Sequence, residues 1–156
     1  MFGVDDVSEA SFIEDFNIND LISTGQQQFY IYWNEVKGSR IMPSRSDINP
    51  NDFVDILPNI LIFDYLEQED DFIIRLTGTK NSQFLGETTG ERLSTMEQYA
   101  DAAERLKWCV KSKQPYYIKS TLESIDKEYI KYASIVMPLS DDNENVNMII
   151  LSSHFY

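Results

Sequence analysis

Residues 115 to 153 constrain this chain more than any other stretch. They hold three strand-forming runs, PYYIKSTLES (115–124), EYIKYASIVMP (128–138) and NVNMIILSS (145–153), separated only by IDK and LSDDNE. A parallel crossover needs about a dozen residues or more, so connections this short force an antiparallel meander. In the middle run Tyr129, Lys131 and Ala133 alternate with Ile130, Tyr132 and Ser134. That period of two is what a sheet with one wet face requires.

Two further runs, 59–66 (NILIFDYL) and 71–78 (DFIIRLTG), flank the acidic loop EQED and read as an antiparallel hairpin. Two strands before a helical middle and three after it give an α+β order. In the middle, TGTKNSQFLGETTGERL is punctuated by Gly and Thr and predicts short helical turns. Ser94 followed by Glu97 has the spacing of a capping box and predicts a helix over 95–111. Ala102, Leu106, Cys109 and Val110 supply its buried side, while Arg105, Lys107, Lys111 and Lys113 gather toward the end that favours cations.

Upstream, GQQQFYIYWNEVK (25–37) places Phe29, Trp33 and Val36 on one helical stripe, with Gly38 to end it. Tyr30, Ile31 and Tyr32 carry apolar surface beyond that stripe, so this helix is expected to contact a second copy in a C2 homodimer, against a plain core stripe within its own domain. Asn49 is placed to cap a short helix that begins at Pro50 and stops before Pro58, with Phe53, Ile56 and Leu57 inward.

The 156 residues suit one domain of 25–156 behind an acidic arm of 1–24. Residues 1–20 contain six acids and no Lys or Arg; Phe12, Ile13 and Phe16 allow a short helix docked on the body, against a partly ordered tail. A net charge of −13 disfavours nucleic acid and anionic lipid as partners. One cysteine, Cys109, and one histidine, His154, argue against a disulfide, a zinc site and a Cys-His catalytic pair. Neither Gly-Lys-Ser/Thr nor GxGxxG occurs, so the common nucleotide loops lack a signal. Without a signal peptide or a long apolar run, the expectation is a cytoplasmic protein, and the lack of a Cys-His pair makes it a non-enzyme in expectation.

Trp33, Pro43, Arg45, Asp47 and Pro50, then Leu57-Pro58, Arg75-Leu76, Gly78-Thr79, Gly86 and Thr89-Gly90, with Pro115 and Pro138-Leu139, form a pattern that resembles the PAS domain. More closely it resembles the short, stand-alone PAS proteins of bacteria, over about residues 32–151. The resemblance implies a PAS-like five-stranded antiparallel sheet with helices on one face, in which 59–66 pairs with 145–153. It implies sensing and protein contact without catalysis, with the signal leaving through a signalling protein partner. It also directs a small-molecule ligand to the space between sheet and long helix, with Phe84, Trp108, Tyr117 and Tyr132 as lining.

No cofactor is named by these residues. The flavin photoreceptor subclass resembles a pattern with Asn-Cys-Arg-Phe where this chain reads KNSQFLG, and haem sensors use a histidine on the long helix, where this chain has none. A ligand-free adaptor is the competing reading, because apolar cores and apolar pockets draw on the same residues. Local readings also serve the motifs: Arg45 and Asp47 tie the loop before Pro50, the glycines permit tight turns, and Arg75 faces water.

Overall fold

The computed structural model describes residues 11–156. The first ten residues of the acidic arm therefore lie outside the described residues. The meander forms as its short connections require: β4 (Tyr116–Glu123), β5 (Tyr129–Leu139) and β6 (Met148–Phe155) pair antiparallel, with Ile118 opposite Ser134 and Ser134 opposite Ser153. The hairpin β2 (Ile60–Leu66) and β3 (Asp71–Thr77) joins it through β2 and β6, Leu61 lying opposite Leu151. This is the pairing of 59–66 with 145–153 expected above.

The sheet has six strands, not five. Ser11–Ile13 forms β1 and pairs with β4, giving the order β1-β4-β5-β6-β2-β3. This corrects the short helix considered for Phe12, Ile13 and Phe16. The outer edge of β4 offers unpaired backbone groups that a neighbouring segment satisfies, and Phe12 gains aromatic contacts with Trp108 and Tyr116 at centroid distances of 5.2 and 4.8 Å.

Helix α1 (Thr24–Lys37) begins at Ser23, whose Oγ accepts from the Gln26 N–H, and ends at Gly38, which takes φ +60°. Just beyond it, the Arg40 guanidinium donates to the Val36 and Lys37 carbonyls, as a cation at a helix C-terminus should. Helix α2 (Thr79–Leu85) follows β3 directly. Helix α3 (Ala100–Ser112) begins later than expected, after 3-10 turns at Leu93–Thr95 and Glu97–Tyr99. Ser94 does not cap it: its N–H and hydroxyl both donate to the Asp71 carboxylate, at 3.1 and 2.5 Å. A fixed, buried carboxylate outcompetes the local cap.

Residues 50–59 are likewise 3-10 turns, Pro50–Asp52 and Val54–Asn59, and the second passes through Pro58 where a stop was expected. Pro58 is tolerated because the closing bond runs from the Ile60 N–H to the Leu57 carbonyl and does not use it. Asn49 does cap the first turn, its side chain accepting from the Asn51 N–H. Gly78 explains the spacing of Leu57-Pro58 and Gly78-Thr79: a Cβ there would fall 2.4 Å from the Pro58 carbonyl oxygen. Only glycine lets the end of β3 approach this backbone so closely.

Helices cover both faces of the sheet. The face carrying Ile118, Ser134, Leu151 and Leu61 meets α3. By strand alternation Tyr117, Ile135 and Ile150 turn to the opposite face. There the Ile22 N–H donates to the Tyr117 hydroxyl just ahead of α1, and Phe16 packs on the Tyr117 ring. Helix α1 is pinned to this face by buried donors: Trp33 Nε1 to the Pro138 carbonyl at 3.0 Å, and Gln26 Nε2 to the carbonyls of Ala133 and Ser152 at 2.9 and 2.7 Å. Among the described residues no helix is long and apolar enough to cross a membrane.

Candidate ligand cavity

Between α3 and the sheet lies a cavity of about 110 Å³. Every strand from β2 to β6 contributes, because residues two apart share a face: Leu61 and Phe63, Ile74, Tyr116 and Ile118, Ser134 and Val136, Leu151 and Ser153. Ala102, Arg105 and Leu106 close it from α3, their spacing of three and four placing them on one helical stripe. The walls are mostly apolar. Within them the Ser134 and Ser153 hydroxyls lie 2.7 Å apart and bond to one another across β5 and β6.

The remaining polar groups are Thr88, three tyrosines and one arginine. Burial pushes the Tyr116 phenol well above its ordinary value, against the pull of Arg105 beside it. Tyr99 is raised by burial and then by the nearby Tyr132. Tyr99 and Tyr116 are therefore neutral hydroxyls at pH 7. Cys109, on the buried side of α3, is raised by burial alone, which leaves an inert thiol and not a nucleophile. His154 belongs to the opposite face of β6 and stacks on Tyr156, so the sheet separates it from Cys109. Among the described residues the buried Arg105 Nε has no hydrogen-bond partner, although the guanidinium lies beside the Tyr116 hydroxyl.

Of the four residues expected to line a site, Tyr132 does so. Phe84 stands behind the lining, its ring 4.6 Å from that of Phe155, which does line the cavity. Trp108 and Tyr117 lie away from this cavity. Trp108 is turned toward the β1 edge, packed on Phe12 and Tyr116, and Tyr117 belongs to the α1 face by strand parity. The missed residue is Arg105, placed by sequence among the basic residues near the helix end. Its signal was its position between Ala102 and Cys109, inside the apolar stripe.

The expected interface residues are partly engaged within the chain. Tyr30 packs on Phe16; the Tyr32 hydroxyl accepts from the Asn49 N–H at 2.8 Å, and its ring lies on Phe53. Ile31 is exposed. Asp47 ties its loop as expected, accepting from the Ser44 N–H at 2.8 Å, but its ion-pair partner is Arg40 at 2.9 Å, while Arg45 donates to the Ile48 carbonyl. Arg75 faces water and pairs with Asp64, Nε to Oδ1 at 2.9 Å and Nη2 to Oδ2 at 2.8 Å.

Comparison with known proteins agrees with this architecture. The family model described as PAS domain matches residues 22–150. No curated protein sequence matches. Among solved structures, an RNA-binding Light-Oxygen-Voltage receptor superposes with a TM-score of 0.56 at 9% identity, covering 94% of this chain and 38% of the receptor. The light-state LOV domain of Aureochrome1 gives 0.50 at 13% identity, covering 64% of this chain and 82% of that one. The LOV protein of Rhodobacter sphaeroides gives 0.49 at 10%, covering 62% and 58%. This chain thus spans well under half the length of the first of these, and at such identities the likeness is one of fold. The sheet order, the hairpin docked on Leu57-Pro58 and the match over 22–150 together make this chain a member of the PAS domain family.

Proposed function

We propose that this PAS domain is a cytoplasmic sensor of a bacterial signalling pathway, binding a small ligand between sheet and α3 and passing the signal on by protein contact, not catalysis. The observation that carries this reading is the cavity of about 110 Å³ between sheet and α3, apolar in its walls and provided with a few inward polar groups. Apolar walls with sparse polar groups are the usual make-up of a small-molecule site. At this volume the occupant is a compound of few heavy atoms: an engineered apolar cavity of about 150 Å³ takes benzene. The helix α1 face around Ile31 is the proposed dimer contact, supported by its exposed side chain beside Tyr30 and Tyr32.

Native mass spectrometry of the purified chain tests the ligand reading by looking for a retained compound. A thermal-shift panel complements it, since a ligand at a hundredfold excess over its Kd stabilises by about 2.7 kcal/mol. A ligand-free adaptor is the second reading, favoured by a volume below the roughly 300 Å³ of ordinary ligand pockets. Silence in both experiments selects it.

A further inference from the structure

We propose that the ligand of this cavity is a small carboxylate with a short apolar chain, its carboxylate held side-on by the Arg105 guanidinium; this rests on the sensor reading above. Five arginines occur in the chain. Arg40, Arg75 and Arg92 face Asp47, Asp64 and Asp71, and Arg45 donates to a backbone carbonyl. Arg105 alone has neither a carboxylate nor a carbonyl partner among the described residues, although acids outnumber bases 26 to 13. It is also the one arginine lining the cavity, and its buried Nε has no acceptor among the described residues, the Tyr116 hydroxyl being the guanidinium's neighbour. A buried cationic donor without an acceptor is unfavourable, which makes it the natural counterpart of an incoming anion.

The geometry selects among anions. Nε and its neighbouring Nη present two parallel N–H bonds, which fit the two oxygens of a carboxylate. Arg75 and Asp64 make this same pairing on the protein surface. One guanidinium neutralises one charge. A phosphate dianion would bring a second charge into a chain already at −13 and ask for donors that Leu61, Phe63, Ile74 and Leu151 do not supply. Those side chains suit an alkyl tail instead, and the neutral tyrosine hydroxyls can donate to the carboxylate oxygens beside it.

The test titrates the full chain with butyrate, butyramide, butylamine and benzene at matched ionic strength, following backbone amide and arginine Nε–H signals by NMR. Butyrate should shift the Arg105 Nε–H resonance together with the amides of Leu61, Ser134 and Leu151, and bind more tightly than butyramide or butylamine. Arg105→Gln should weaken butyrate by about tenfold or more, the worth of one charged hydrogen bond. Arg105→Lys, which keeps the charge and loses the fork, should retain only part of the affinity. Equal binding of butyramide, or butyrate binding untouched in both variants, overturns the carboxylate assignment and leaves the sensor reading standing. Binding of benzene alone does the same. If no compound in the series binds, the carboxylate assignment falls, and the sensor reading is decided separately by native mass spectrometry.

Discussion

The two faces of the sheet are covered by helices of nearly equal length, yet they are built differently. Against α1 the space is filled: Phe29, Trp33, Tyr117, Ile135 and Ile150 are each 2% exposed or less, and buried donors on Gln26 and Trp33 end on strand carbonyls. Among the described residues one acceptor, the Gln26 Oε1, is left over there. Against α3 the strands contribute serines at the centre, the helix contributes Ala102, and a cavity remains with an unpartnered cationic donor on its wall. A leftover amide oxygen is a modest defect, whereas a buried unpartnered guanidinium N–H is not. The lesson is that one face specifies the fold and the other is kept incomplete.

Large-to-small changes should separate the faces most. Trp33→Ala removes an indole from the filled side together with its bond to Pro138, and should lower the unfolding free energy in urea by about 3–5 kcal/mol. A loss under about 1 kcal/mol would mean that the α1 face is not the packed one.

Small-to-large changes should then invert the order. Ala133 is fully buried on the α1 face, and Ala133→Leu should cost about 1–3 kcal/mol through overpacking. Ala102→Leu points the same added volume into the cavity, keeps a good helix former, and should leave the urea midpoint unchanged or higher. Equal losses at the two sites would erase the distinction.

The cavity serines sharpen it further. Removing one hydroxyl by Ser134→Ala strands the other and should cost about 1 kcal/mol, while Ser134→Ala with Ser153→Ala removes both partners and should be close to neutral. A double-mutant cycle measures the coupling directly.

The smallest effect is on pH dependence. Burial alone would raise the Asp71 carboxyl, but the hydrogen bonds from Ser94 and Phe72, with Arg92 nearby, outweigh it and hold its pKa below the ordinary value. Asp47 is lowered first by the Ser44 N–H and further by Arg40, against the rise from burial. A carboxyl depressed in the folded state contributes its stability above the unfolded pKa of about 3.9 and loses it as pH falls through the folded one. The urea midpoint should therefore drop on acidification below about pH 4, and less steeply in Asp71→Asn, which loosens the turns leading into α3 on the cavity side.

How far the sequence carried follows from which forces act locally. Helix α1 was legible because Phe29, Trp33 and Gly38 speak through spacing alone, and β4, β5 and β6 because their connections are too short for anything but a meander. Gln26, which extends the α1 stripe by one more step, was hidden by its polarity. β1 was not legible: three residues carry no period, and its pairing is a property of the β4 edge. The Ser94–Glu97 box failed because Asp71, distant in sequence, competes for the same hydroxyl. Aromatic character alone does not mark the cavity lining. Trp108 and Tyr117 are aromatic and sit elsewhere, while strand parity, available from Tyr132 and Ser134 onward, separates the faces correctly.

The difference between the faces is measured most directly by xenon binding, followed by 129Xe chemical shift on the full chain. The account predicts a saturable shift with wild-type protein, abolished by Ala102→Leu and preserved in Ala133→Leu. No saturable shift in the wild type, or one that survives Ala102→Leu, would contradict it.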